Sequence, residues 1–251
     1  KILIVANWKC NPTTLLEAKR LFQTVSKTAS RILKIQIVVC PPFVYLPIMR
    51  QVGKGAIKLG AQDCFWEQNG AFTGEVSPKM LKDIGCSYVI VGHSERRRYF
   101  NETDEQINKK IKAVLKSRLN PLICIGETIE QKKHGQTPKV LRHQLESALK
   151  GIDRKAIKKI IVAYEPVWAI GTGIACLPEE AQSAGLYIRK LLTEKYNRRT
   201  ADLIPVLYGG SVNANNATNY IKEAKLQGLL VGGASLNPKE FLSIIRSVSL
   251  L

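Results

Sequence analysis

The chain has 251 residues, 45% of them hydrophobic, enough for one sizeable core. No apolar run reaches the roughly 18 residues of a membrane span, and the apolar start at residues 2–6 is too short for a secretion signal. The formal net charge is +18, but the basic residues are scattered (Arg96–Arg98, Lys109–Lys110, Lys158–Lys159, Arg198–Arg199) and not interleaved with aromatics. They read as solvated helix faces rather than a nucleic-acid groove.

Eight short runs are near-continuously apolar: residues 2–6, 35–40, 57–62, 88–92, 122–126, 160–164, 204–209 and 229–232. Strands that are covered on both faces have this pattern, as in a parallel sheet. Helix signals lie between them. Thr14 to Glu17 forms a possible capping box ahead of Leu21, Phe22 and Val25. Thr103 to Gln106 forms another ahead of Ile107, Ile111, Val114 and Leu115. Pro178 suits the first turn of a helix carrying Ala181, Ile188, Leu191 and Leu192, and Pro238 opens a last one through Phe241, Ile244 and Ile245. The six cysteines form no CxxC pair and read as reduced packing residues in a cytoplasmic compartment.

Eight strand–helix units with no linker between them argue for one α/β domain over residues 1–251, a single closed (β/α)8 barrel. An open dinucleotide-binding sheet would place G-x-G-x-x-G after the first strand. Asn7-Trp8-Lys9-Cys10-Asn11 stands there instead, with no glycine.

In such a barrel the C-terminal strand ends share one mouth. Asn7 and Lys9, Gln62, His93 to Glu95, Glu165, Gly209 to Ser211, and Gly232 with Gly233 all follow strands, so they converge. Two glycine pairs after the last two strands give bare backbone N–H groups to an anion, with Gly171 and Ser211 as further donors. No metal-ligand spacing and no nucleophile elbow appears. One carboxylate, one imidazole and one ammonium suit proton transfer beside a carbonyl. Glu165 takes the carbon-bound proton, His93 polarises the carbonyl, and Lys9 stabilises the enediolate. Glu95 is placed behind them as a partner for Lys9. Glu165 precedes Pro166 and a glycine-rich release at Gly171-Thr172-Gly173, which suits a base under a closing loop or a plain strand-to-helix connection. A Schiff-base aldolase would need a lysine late on strands 5 to 8, and none is there.

Six segments, Asn7-Trp-Lys9, Val91-Gly-His-Ser-Glu-Arg96, Cys124-Ile-Gly-Glu127, Ala163-Tyr-Glu-Pro-Val-Trp-Ala-Ile-Gly-Thr-Gly173, Tyr208-Gly-Gly-Ser-Val212 and Val231-Gly-Gly-Ala-Ser-Leu236, resemble the triosephosphate isomerase family over nearly the whole chain. The resemblance implies the TIM-barrel fold. It also implies interconversion of dihydroxyacetone phosphate and D-glyceraldehyde 3-phosphate, in glycolysis and gluconeogenesis, with no cofactor and no metal. It makes Glu165, His93 and Lys9 catalytic, Asn7 a substrate contact, and Gly171, Ser211, Gly232 and Gly233 phosphate ligands. It also packs Ile170 and Leu230 around the base and makes residues 166–176, including Pro166 and Thr172, the lid. The long connection at 63–76 carries Phe65, Trp66 and Phe72, three aromatics that are costly in water unless covered. Folding back on its own barrel would cover them. The resemblance instead docks this loop into a second subunit, with Thr73 near that subunit's Lys9, and so implies a homodimer. Three places depart from the family pattern. The lid ends in Ile174-Ala-Cys176, Leu177 stands at the N-cap before Pro178, where it cannot accept a hydrogen bond, and Cys10 in the first active-site loop replaces the expected methionine.

Overall fold

The computed structural model describes residues 1–251 apart from Ser30, Arg31, Leu33, Lys54, Ala56, Thr172 and Gly173. Eight parallel strands close into a ring in chain order: β1 (Ile2–Asn7), β2 (Ile35–Cys40), β3 (Ile57–Ala61), β4 (Cys86–Val91), β5 (Asn120–Ile125), β6 (Ile161–Tyr164), β7 (Val206–Tyr208) and β8 (Gly228–Val231). The ring closes where β1 pairs with β8, from Leu3↔Gly228 to Ala6↔Val231. The outer layer holds α1 (Leu15–Ala29), α2 (Leu46–Val52), α3 (Pro78–Asp83), α4 (Ser94–Phe100), α5 (Asp104–Lys116), α6 (Ile129–Lys133), α7 (Thr137–Ala148), α8 (Pro178–Lys195), α9 (Arg198–Ala201), α10 (Ala217–Lys222) and α11 (Pro238–Ser249). The chain therefore folds as a (β/α)8 TIM barrel.

The strands read as unbroken apolar runs because both faces are buried. Leu3, Val5, Val38, Leu122, Ala163, Leu207 and Leu230 fill the barrel interior. Their neighbours Ile4, Ala6, Ile37, Ile123 and Val162 pack outward against the helices. The caps form as their sequences require. The Thr14 hydroxyl accepts from the Glu17 N–H at 3.3 Å, and Thr103 with Gln106 closes a complete capping box. Three strands, β4, β5 and β8, begin one or two residues earlier than their apolar cores suggest. Asn120 and Pro121 look like breakers, yet Asn120 ties into β4 by donating to the Ser87 carbonyl at 2.8 Å.

One cation departs from the expected solvated faces. Lys109 is exposed and pairs with Glu105 on the surface. Lys110 is only 4% exposed, and its ammonium is held by both Asp63 oxygens at 2.7 and 2.8 Å and by Glu102. Arg96 adds a contact to Asp63 at 2.8 Å. The helical spacing does point residue 110 inward beside Ile107, Ile111 and Val114. Only its charge suggested water.

Five of the six cysteines are buried, and Cys10 alone is exposed. Burial pushes the Cys40, Cys64 and Cys124 thiols well above the ordinary value and Cys86 up to about 12. In the unfolded chain these thiols ionise near pH 8.5. The folded state thus holds protons that the unfolded state releases. The stability is full below about pH 8.5 and is lost as pH rises toward the folded values. Neutralisation of the excess lysines acts the other way above about pH 10. The melting temperature should therefore be flat to about pH 8 and fall between about pH 8.5 and 10. A flat profile across that window would contradict this account.

Candidate active site

All eight strands run the same way, so their C-terminal ends open on one face, where a cavity of about 160 Å³ lies. Asn7 ends β1, and its Oδ1 accepts the Lys9 N–H at 3.0 Å. Lys9 adopts a left-handed backbone, φ 55°, which a lysine takes up only when its surroundings hold it there. The Gln62 side-chain amide supplies that hold, donating to the Lys9 and Cys40 carbonyls, each at 2.8 Å. Gln62 is therefore a clamp for the first loop rather than a group at the mouth. The Lys9 ammonium sits 2.5 Å from Glu95 Oε1, the partnership expected of Glu95.

His93 is the N-cap of α4, and its Nδ1 accepts the Glu95 backbone N–H at 3.2 Å. Glu95 Oε2, at 3.6 Å, is too far to compete. An Nδ1 that accepts leaves the proton of the neutral ring on Nε2, a tautomer assigned from this hydrogen-bond pattern. Nε2 faces the cavity 3.3 Å from Glu165 Oε1.

Glu165 extends β6 by one rung, its N–H donating to the Ile125 carbonyl at 2.8 Å. Pro166 follows and is buried. The Glu165 side chain is 2% exposed. Its Oε2 accepts from the Ser94 N–H at 3.2 Å, and Oε1 takes no aligned hydrogen bond among the described residues. A buried carboxylate with one oxygen unused is expensive. The cost is informative because that oxygen points to the cavity His93 faces. Gly126 makes this placement possible, since a Cβ there would fall 1.9 Å from the Glu165 carbonyl oxygen. The Cys124 thiol lies beside the base. Burial, and then the Glu165 charge, raise it far above the ordinary value, so it stays neutral. In the sequence Cys124 stands in a segment that resembles the family, but nothing local places its thiol beside the base.

Gly209, Gly210 and Ser211 follow β7, and Gly232 and Gly233 follow β8. They line the cavity, Gly209 so close to the base that a Cβ there would fall 2.8 Å from Glu165 Cγ, with Gly171 at φ 70° also in the lining. Ile170 and Leu230 complete its wall. One cavity thus gathers Asn7, Lys9, His93, Glu165, Ile170, Gly171, Ser211, Leu230, Gly232 and Gly233. Glu95 stands behind Lys9, Thr73 is exposed on the 63–76 loop, and Thr172 lies outside the described residues. Leu177 makes no side-chain cap to α8, as its chemistry requires. Among the described residues no group of three or more His, Cys, Asp or Glu could hold a metal ion.

The family model described as triosephosphate isomerase matches residues 2–248. The triosephosphate isomerase of Alkaliphilus oremlandii is 46% identical over 248 residues, which cover 98% of each chain. That of Dehalococcoides mccartyi is 48% identical over 252 residues, covering all of this chain and 98% of its own. That of Dictyoglomus thermophilum is 45% identical over 246 residues, again 98% of each. Identity of this extent over a closed eight-stranded barrel, with carboxylate, imidazole and ammonium at one mouth, leads to one conclusion: the chain belongs to the triosephosphate isomerase family.

Proposed function

We propose that this mouth interconverts dihydroxyacetone phosphate and D-glyceraldehyde 3-phosphate through an enediol(ate), the isomerisation of its family in glycolysis and gluconeogenesis. The observation that carries the reading is the unused Glu165 Oε1, 3.3 Å from His93 Nε2 in a cavity whose described lining has Lys9 as its cation. Glu165 removes the proton from the carbon next to the carbonyl and returns it to the neighbouring carbon. His93 Nε2–H donates to the carbonyl oxygen and moves protons between the two oxygens, its ring fixed by the Glu95 N–H at Nδ1. The Lys9 ammonium offsets the charge on the enediolate, and Asn7 contacts the substrate. Backbone N–H groups at Gly171, Ser211, Gly232 and Gly233 hold the phosphate. Residues 166–176, with Thr172 among them, close over it, and Ile170 and Leu230 keep water from the base. The exchange moves protons only, so it consumes no oxidant or reductant. The test is a coupled isomerase assay on the chain and on Glu165→Gln, and comparable turnover by the two would overturn the reading.

The active unit in this proposal is a homodimer. Phe65 packs in tilted ring contacts against Trp66 and Phe72, with centroids 4.1 and 4.7 Å apart, so self-packing covers part of their surface. Phe72 remains 43% exposed beside the exposed Thr73. A second subunit would cover that residue. Light scattering at micromolar concentration should give twice the 27.9 kDa chain mass. A fully active monomer would remove the claim.

A further inference from the structure

A second cavity, of about 390 Å³, lies outside β6 between α7 and α8 and shares no lining residue with the catalytic mouth. Its size is at the lower end for small-molecule sites. Leu141, Trp168 and Tyr187 supply apolar wall, and Glu127 stands at its inner side. Glu127 is 1% exposed. Its Oε1 accepts from the Tyr164 hydroxyl at 3.1 Å and from the Trp168 indole N–H at 2.8 Å, while Oε2 has no partner among the described residues. Both donors are neutral. Burial, and then the Glu127 charge, keep the Tyr164 hydroxyl protonated. The cation in the lining, Lys132, is committed elsewhere, 2.8 Å from Glu180 Oε1 and 3.6 Å above the Trp168 ring. Two carboxylates and one ammonium leave the lining with one net negative charge, in a chain of net charge +18. A buried carboxylate without a counter-charge is costly, and a bound cation with N–H donors would relieve that cost.

We propose that this cavity is a binding site for a small, flat organic monocation, an aryl amidine or aryl-methylammonium, whose charged end bonds Glu127 Oε2 while its ring lies against Trp168, Tyr187 and Leu141. Water alone could bond the oxygen but would bring no charge and would leave the apolar wall unfilled. Trp168 lies three residues after Glu165, and the Val167 N–H donates to the Glu127 carbonyl at 3.0 Å. An occupant therefore braces the start of the 166–176 segment and slows turnover without competing with substrate. That consequence rests on the lid role given above, whereas binding does not.

The test is calorimetric titration of the full chain with benzamidine and with the neutral benzamide, with and without inorganic phosphate in the mouth. Saturable binding of one benzamidine per chain is expected, at least about tenfold tighter than benzamide and unaffected by phosphate. Glu127→Gln should weaken it by at least about tenfold. Ser183→Phe, an exposed rim position on α8, should fill the opening and abolish it, and decides the matter if Glu127→Gln does not fold. No saturable binding, equal binding of benzamide, or binding retained in Ser183→Phe would overturn the site. The inhibition pattern against substrate, measured separately, reads the effect on turnover.

Discussion

Glu165→Gln lowers the turnover number by roughly 10²- to 10⁴-fold, the range expected when a positioned general base is removed. At about 1.4 kcal/mol per tenfold, that is roughly 3–5.5 kcal/mol of barrier. Glutamine keeps the side-chain shape, and its carbonyl oxygen can still accept the Ser94 N–H that Oε2 accepts now. What it cannot do is take a proton from carbon. The loss should fall on turnover with little change in the Michaelis constant, because the phosphate is gripped elsewhere in the cavity. The same substitution should leave the melting temperature unchanged or raise it. The wild-type carboxylate is buried with Oε1 unused, so a neutral amide removes a desolvation cost that folding now carries. A variant that is slow only because it is unfolded would show a lowered melting temperature. Thermal scans beside the isomerase assay separate the two cases.

Lys110→Met has the largest effect on stability. Removing this ammonium leaves Asp63 and Glu102 facing each other, with only Arg96 left to offset them. Breaking a buried ion pair from one side costs about 3–5 kcal/mol. For a chain of this size each kcal/mol lowers the melting temperature by roughly 2–4 °C, so the fall should be about 6–20 °C. The neighbouring Lys109→Met should change stability by less than about 0.5 kcal/mol, since its pair with Glu105 is solvent-exposed. The Lys110→Met deficit should shrink on acidification. Burial already holds the Asp63 carboxyl above the ordinary value in spite of Lys110 and Arg96, and a protonated Asp63 no longer needs the cation. Equal melting temperatures for the two variants would refute the role given to the cluster.

The contrast between Lys109 and Lys110 marks the boundary between what is legible in sequence and what is not. Period-3.6 spacing in α5 identifies the inward stripe, and Lys110 lies on it. Nothing local says that the acids which make burial tolerable are Asp63, forty-seven residues earlier, and Glu102, just ahead of the helix. Glu127 is a similar case. It reads as part of a strand-end motif, but its unpartnered oxygen and the cavity beside it depend on how α7 and α8 pack outside β6.

The eight doubly covered strands are legible in the residues alone, because burial on both faces removes the polar alternation that a half-exposed strand would show. The closed barrel and the groups at the mouth, Gln62 excepted, are legible too, because parallel strands bring their C-terminal ends to one side whatever their separation along the chain. How those groups face one another follows from contacts between distant parts of the chain. The left-handed Lys9 depends on a clamp from Gln62 in the third strand–helix unit, the 3.3 Å approach of His93 Nε2 to Glu165 Oε1 joins the ends of β4 and β6, and the Glu165 backbone sits where it does because Gly126 lets two chain segments nearly touch. Each is a hydrogen bond or close approach between residues that no local pattern links, so it exists only once the barrel has closed.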